Sequence, residues 1–431
     1  MKRFAAGLLA LMMALIVVPV HAAEPMATSA RTTLLDLRSV TSNQSNSSQG
    51  WSFQPTGENG NPVLTLNGYG LANAHSAPIQ LPKNTHVIVN GDCYIDNSYM
   101  GEEYNCITSA YDGYLTIDGS GTLNLYATQY YGCCIEITSG GENEGTLEPL
   151  TISDITVNCY GIVSDNYTSA KNKPCLCCYE DIIIRNAVLN TYDGGYGIKN
   201  FGYTPIGGVT EDTANEILID NSTVNIEMNP LNNCWSHAVG ISTTFGKVRI
   251  TGDSNVTINA GTKCIYSYLG LFIEGGRVHV GATTVSNSYV HAGVYCRRLV
   301  IGSEAKDVYF GVKRYATAMP LYCTEEGTSV LEAGPEVVIG SFANGTYTTA
   351  PDPDNNNLPA LHVTSETGPA FLVGDVNCDG FVDFSDVSLL YSYVLNISAL
   401  SEEGMLAADI NGDGLINSTD VTALCQLILN A

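Results

Sequence analysis

The chain has 431 residues, a formal net charge of −25 and only 14 % charged residues, against 43 glycines and 25 tyrosines. So acidic a balance argues against nucleic acid and anionic membrane as partners. Few charges with many Gly, Ser, Thr and Asn suit a β-rich protein with many turns, not helices built from Ala, Glu, Lys and Leu.

Lys2 and Arg3 precede an apolar run from Ala5 to Val18, Pro19 breaks it, and Val20-His21-Ala22 offers a small-residue cleavage site. That pattern predicts a secretory signal peptide over residues 1–22, since the run is short for a bilayer and polar sequence follows at once. No other long apolar stretch occurs, so the mature protein is expected to be extracellular, with no transmembrane anchor. The roughly 400 residues that remain suffice for one large domain and a small one.

A self-similar pattern then runs through the middle of the chain. CITSAYDGYLTIDGSGTLNL begins at Cys106, EPLTISDITVNC at Glu148, EDIIIRNAVLN at Glu180 and NEILIDNSTVNI at Asn215. GKVRITGDSNVTI from Gly246, LGLFIEGGRVHV from Leu269 and RLVIGSEAKDVYFGV from Arg298 continue it. Each unit is an alternating strand, a polar turn and a second alternating strand. Anchored on Ile117, Ile152, Ile184, Ile219, Ile250, Ile273 and Ile301, the gaps are 35, 32, 35, 31, 23 and 28 residues. A constant kernel with unequal spacing predicts a right-handed parallel β-helix of roughly eight rungs, occupying residues 23–345, with loops of varying length. A β-sandwich is the alternative, but Asn-Gly hairpin turns are scarce between these strands.

The 14 cysteines fit this frame. Cys106, Cys134, Cys178, Cys264, Cys296 and Cys323 recur near the anchor strands, where a small apolar side chain would stack inside the coil. A ladder of buried thiols is the first expectation and disulfides between rungs the second. Cys175, Cys177 and Cys178 are the densest group, short of the four convergent ligands of a thiolate metal site.

Upstream, Gly50 to Gly91 contains VLTLNGYGL, IQLP and HVIVNG behind a Trp-containing first strand, and LTIDGSGTLNL repeats the phrase L-T-[IL]-x-G-x-G-x-L. Over residues 50 to 340 this resembles a family of secreted bacterial β-helix proteins described as carbohydrate-binding. The resemblance implies sugar binding and no catalytic set. TYTTAPDPDNNNLP, from Thr346 to Pro359, reads as a loop or linker. LHVTSETGPAF can add a last strand, which leaves 346–370 as linker or last strand.

The end of the chain repeats itself at an offset of 34 residues, DVNCDGFVDFSDVSLLY from Asp375 and DINGDGLINSTDVTALC from Asp409. Oxygen-bearing side chains fall at loop positions 1, 3, 5, 9 and 12: Asp375, Asn377, Asp379, Asp383 and Asp386, then Asp409, Asn411, Asp413, Asn417 and Asp420. Gly380 and Gly414 occupy position 6, where the chain turns sharply, and Phe381 and Leu415 at position 7 offer backbone carbonyls. This is the oxygen-ligand spacing of a calcium loop, so two calcium ions are expected. Both loops end in Asp where an EF-hand ends in Glu. Apolar residues at Val387, Leu390 and Val394, and at Val421, Leu424 and Ile428, predict helices over 386–396 and 420–430. From Phe371 to Ala431 there is no Lys or Arg, and seven of the nine carboxylates are proposed ligands, a density that cations would relieve.

A doubled loop-helix ending in Asp resembles a type I dockerin, and the match covers Gly374 to Asn430 within a domain expected at 371–431. The resemblance implies docking to a cohesin module of a scaffolding protein, and so a place in a cellulosome. In that family positions 10 and 11 of each loop often read the partner, which here are Phe384 and Ser385, and Ser418 and Thr419. The two pairs differ. Tyr391-Ser392 and Cys425-Gln426 stand where many dockerins carry Lys or Arg.

For the coil, the expected partner is a plant polysaccharide, and the role is polysaccharide catabolism. Tyr126, Tyr130, Tyr131, Tyr192, Tyr196 and Trp235 are expected in the variable loops, where aromatic faces suit sugar stacking. The alternative is an enzyme, a glycoside hydrolase or a polysaccharide lyase. Hydrolysis wants two carboxylates flanking the bond, and the sequence has no Asp-Asp pair. A lyase wants a basic residue beside acids, for which Arg185, Lys199 and Arg249 are candidates, and His237 is the candidate histidine. Asp118, Asp154, Asp220, Asp253 and Glu274 recur at turns, where Asp is a common acceptor. A structural or adhesion coil is the third reading.

Overall fold

The computed structural model describes residues 35–430 apart from 58, 72–77, 98–104, 110–112, 128–131, 138–149, 162–173, 194, 203–209, 211–213, 229–238, 262, 283–291, 313–318, 326, 344–345, 354–357, 366–371, 396 and 412–414. Tyr130, Tyr131, Trp235, His237 and Asp413, and the expected signal peptide, lie outside the described residues.

The middle of the chain is a parallel β-helix. One face is a ten-stranded parallel sheet, from Leu35–Asp36 through Ile107–Ser109 and Tyr196–Asn200 to Met319–Cys323. The first and second strands of each kernel form two further faces, for example Leu115–Asp118 and Thr122–Tyr126. Each strand pairs in parallel with its equivalent one turn along. The coil therefore has more turns than the eight expected. The early turns carry kernels ahead of the seven anchored units, Val63–Asn67 with Gly70–Leu71 and Thr85–Asn90 with Asp92–Asp96.

The expected anchors stack in register: Ile117, Ile152, Ile184, Ile219, Ile250, Ile273 and Ile301 are successive partners, with Val87 and Leu64 ahead of them. All are fully buried. Alternation of period two points these side chains inward while their neighbours face out. The turn between the two kernel strands explains the polar residues found there. Asp154, Asn186 and Asn221 have φ of 54°, 49° and 48°, in the left-handed region that Asn and Asp tolerate best after Gly. Gly119 holds the same place with φ 132°, and a Cβ there would sit 2.1 Å from the Val89 carbonyl oxygen.

No disulfide joins the described cysteines. Several of the thiols form two inner rows. Cys106, Cys134 and Cys175 each precede the aligned Ile107, Ile135 and Leu176. Cys178 aligns with Asn200, Thr243, Ser267, Cys296 and Cys323. Burial pushes the Cys178 thiol up to about 12, so it packs as a neutral small side chain.

Antiparallel strands close both ends, a device that blunts exposed sheet edges. Gln44–Asn46, Trp51–Gln54 and Val63–Asn67 form the leading one. At the far end Leu358–Thr364 runs antiparallel to Leu299–Val312 and to Glu336–Ile339. The stretch read as a loop from Thr346 holds strands Thr346–Thr348 and Ala350–Asp352. Their backbone pairs with Ser341–Ala343 and Leu358–Thr364, which the Pro and Asn content concealed.

The chain ends in three helices, Phe384–Val394, Glu402–Ala408 and Ser418–Asn430. Val376, Val387, Leu390, Ala408, Val421 and Leu424 form their small core, with Val394 and Ile428 packed half-buried against it. The helix Glu402–Ala408 has no expected counterpart; Ser401 caps it by accepting from Gly404 N at 2.9 Å.

Candidate functional site

The two terminal loops share one hydrogen-bond skeleton. The position-12 carboxylate accepts from the backbone N–H groups of positions 3 and 9: Asp386 from Asn377 at 2.9 Å and Asp383 at 2.8 Å. Asp420 accepts from Asn411 at 3.3 Å and Asn417 at 2.9 Å. Position 9 then caps the following helix, Asp383 accepting from Ser385 N and Asn417 from Thr419 N. The helices accordingly start at Phe384 and Ser418, two residues before the expected 386 and 420. Asp caps a helix by accepting its orphan N–H groups, and this is what pulls the start back.

Positions 10 and 11 are therefore the first helical residues. Ser385, Ser418 and Thr419 are exposed, while Phe384 is half-buried against the small core. The hydroxyls at position 11 are tied to the loops: Asn377 Nδ2 donates to Ser385 Oγ at 2.7 Å and Asn411 Nδ2 to Thr419 Oγ1 at 2.8 Å.

The donor set of the first loop fits a hard divalent cation. Asp375, Asp379, Asp383 and Asp386 and the amide of Asn377 offer oxygen alone. Asp375 and Asp386 are buried. Burial, with the neighbouring carboxylates of Asp386 and Asp379, pushes Asp375 up to about 7. Burial likewise pushes Asp386 up to about 6. Gathered acids held this far from their ordinary range are a site for positive charge. Gly380, at position 6, has φ 85°, the left-handed turn that glycine allows. In the second loop the described ligand candidates are Asp409, Asn411, Leu415, Asn417 and Asp420.

The first loop also touches the coil. His279 lies between the Gly380 carbonyl, 3.2 Å from Nδ1, and the Asp307 carboxylate, 2.6 Å from Nε2. His362 holds the other Asp307 oxygen at 2.6 Å. Phe381 is 4 % exposed, whereas its counterpart Leu415 is 66 % exposed. A Cβ at Gly281 would lie 2.2 Å from the Phe381 ring, so glycine there makes room for it.

On the coil, the described tyrosines assigned to loops, Tyr126, Tyr192 and Tyr196, are on strands. Tyr126 and Tyr192 end the second kernel strands and Tyr196 opens another. Register brings Tyr126, Tyr160 and Tyr192 into one stack, with ring centroids 4.6 and 5.0 Å apart. The rung spacing of about 4.8 Å makes such a stack possible, and a sequence reader sees it only once the register is known. Beside it runs a ladder of amides. Asn158 donates to Asn124 at 2.9 Å, Asn190 to Asn158 at 2.8 Å and Asn225 to Asn190 at 2.9 Å. Tyr196 instead receives the Lys199 ammonium, 4.1 Å from its ring centroid. The sequence reading missed a second row, Tyr266, Tyr295 and Tyr322, with centroids 5.3 Å apart in each pair. Its signal was a Tyr one residue before Ser267, Cys296 and Cys323.

The proposed lyase bases are engaged. Arg185 pairs with Asp220 at 2.9 Å, and Arg249 with Glu216 at 2.8 Å and with Glu274. The turn acids divide. Asp154 takes the left-handed turn position, while Asp118 pairs with His86 and Asp253 with Lys306, each at 2.8 Å.

Among known families, the Dockerin type I domain matches residues 373–429. No curated protein and no solved structure matches the chain.

Proposed function

Taking residues 373–429 as a type I dockerin domain, we propose that this chain is a cellulosome component whose β-helix binds plant polysaccharide. The dockerin itself carries the coarser part: it binds calcium and docks to a cohesin, which places its chain among extracellular cellulosome components. The finer assignments are our reading. Two calcium ions fill the loops, one on Asp375, Asn377, Asp379, Phe381, Asp383 and Asp386, the other on Asp409, Asn411, Asp413, Leu415, Asn417 and Asp420. Phe384, Ser385, Ser418 and Thr419 meet the cohesin. Residues 1–22 direct export, 23–345 form the sugar-binding coil, 346–370 carry its closing strand and 371–431 the dockerin.

The observation that supports the sugar reading is the strip on the second-strand face, where the Tyr126–Tyr160–Tyr192 stack lies beside the Asn124–Asn158–Asn190–Asn225 ladder. Three successive rungs repeat an aromatic edge and an amide, and the fourth keeps the amide with Glu227 at the tyrosine position, a lining suited to a polymer that repeats along its own axis. Tyr196 belongs to the adjoining face, and Tyr130, Tyr131 and Trp235 extend the same reading. The experiment incubates one sample of mature protein with a panel of insoluble and acidic plant polysaccharides in calcium. Retention on at least one, with no new reducing ends and no unsaturated product, is the expected result. Turnover abolished by changing a coil carboxylate or arginine would replace the binding reading with an enzyme. Neither retention nor turnover would leave a structural coil.

A further inference from the structure

We infer that Cys133, Glu136 and Cys177 form a binding site for a borderline-soft divalent cation of the zinc class, bridging two rungs of the coil. The two thiol sulfurs and a carboxylate oxygen all lie within 4.8 Å of one another. Two features of the fold bring them there. Glu136 and Cys177 are register partners on adjacent rungs, in strands Ile135–Ile137 and Pro174–Cys178. The inward partners in those strands are Ile135 and Leu176, so Glu136 and Cys177 share the outer side of the sheet. Cys133 stands just before a bend at Cys134, where the chain is not yet extended, so its thiol can converge with a side chain three residues on.

The dense sequence group Cys175, Cys177 and Cys178 does not act as a unit. Cys178 lies in an inner row with Asn200 and Cys175 in the row with Cys134, and only Cys177 joins the outer cluster. Cys133 and Cys177 are buried and Glu136 is half-buried, so the site is sheltered with one side toward solvent. Asn105 braces it, accepting from Cys133 N at 2.7 Å while its amide nitrogen donates to the Glu136 carboxylate. An outer partner that orients a ligating carboxylate is a regular feature of metal sites. The donor set selects the metal: thiolates and one carboxylate suit Zn2+ and disfavour Ca2+ or Mg2+, which want oxygen throughout. On binding, each thiol gives up its proton to solvent, leaving one net negative charge on three anionic ligands and a divalent ion. Lys199 is the register neighbour of Cys177 on the next rung, with its ammonium over the Tyr196 and Phe201 rings. Three protein ligands leave a fourth position for water.

The test uses the full mature chain, reduced, stripped of metal and saturated with calcium so that the dockerin loops are filled. Titration with Co2+ should give one equivalent with a thiolate-to-metal charge-transfer band, displaced by Zn2+. Cys133→Ser and Cys177→Ser should each abolish the band, and Asn105→Ala should weaken binding by about 10–100-fold. If the serine variants misfold, X-ray absorption on the zinc-loaded wild type still decides, with two sulfur and two oxygen ligands expected. No band in the wild type, a band that persists in the double serine variant, or a Cys133–Cys177 disulfide in the native protein would each overturn the site.

Discussion

Asp375 and Asp386 show what single side chains contribute to the first calcium loop. Both are buried and held above the ordinary carboxylate range, at about 7 and about 6. A folded-state pKa above the unfolded value of about 3.9 means that the fold favours the proton. The resulting cost is absent below the unfolded value, grows as pH rises, and is complete above about 7 for Asp375. With chelator present, the dockerin helices are therefore expected to be more stable near pH 5 than near pH 8, read by thermal melts in circular dichroism. Calcium should reverse the order, because a cation on the ionised carboxylates removes the cost. Equal melts at the two pH values in chelator would contradict this. Asp375→Ala and Asp409→Ala should each reduce the calcium stoichiometry from two to one in calorimetric titration of the full chain. An unchanged stoichiometry in either variant would show that the altered aspartate is not a ligand.

At the scale of the element, the rung is held by inward stacking and outward ladders. Ile219 is fully buried between Ile184 and Ile250. Ile219→Ala is expected to cost about 2–5 kcal/mol, and Ile219→Asp more, because it buries an uncompensated charge. Asp220, one residue on, pairs with Arg185, whose side chain is 49 % exposed. Asp220→Asn should therefore cost no more than about 1 kcal/mol. Denaturant melts of these variants would show whether side chain and turn divide the work in this way. Asn190 is a third case. It accepts from Asn225, donates to Asn158 and is 5 % exposed. Asn190→Ala removes two amide hydrogen bonds to half-buried partners, an expected loss of about 1–3 kcal/mol, without changing the inward stack.

Across the whole molecule, the repeated loops do not have equivalent surroundings. Phe381 is buried beside Gly281 while Leu415 is exposed, and His279 approaches only the first loop's Gly380 among the described residues. A side chain at Gly281 would occupy the place of the Phe381 ring. Gly281→Val is expected to release the first loop from the coil, raising hydrogen exchange over residues 375–386, with calcium stoichiometry unchanged. Unaltered exchange would mean that this contact does not hold the loop. A loop held on the coil presents its helix start in one fixed direction, whereas the second loop keeps its position-7 side chain in solvent. The two halves of the dockerin thus differ in their surroundings as well as in the residues at positions 10 and 11.

The calcium loops and the inward isoleucines were legible in the sequence because both depend on short-range spacing. A ligand set at fixed offsets within twelve residues needs no knowledge of distant chain, and period-two alternation declares which face is buried. The anchor register could be read for the same reason: one isoleucine per kernel marks the stack, whatever the loop length. Lateral neighbours on the outside of the coil were not legible. Whether Tyr126 stacks on Tyr160, or Glu136 meets Cys177, depends on parallel pairing between strands tens of residues apart, with connections of unequal length. The closing strand Leu358–Thr364 was half visible, and Thr346–Thr348 and Ala350–Asp352 were hidden by Pro and Asn that read as linker. The start of the dockerin helices was missed by two residues because the position-9 residue, Asp383 or Asn417, also caps the helix that follows. Local spacing thus declared the acidic loops and the core face, while only the winding of the chain decided which outward side chains share a surface.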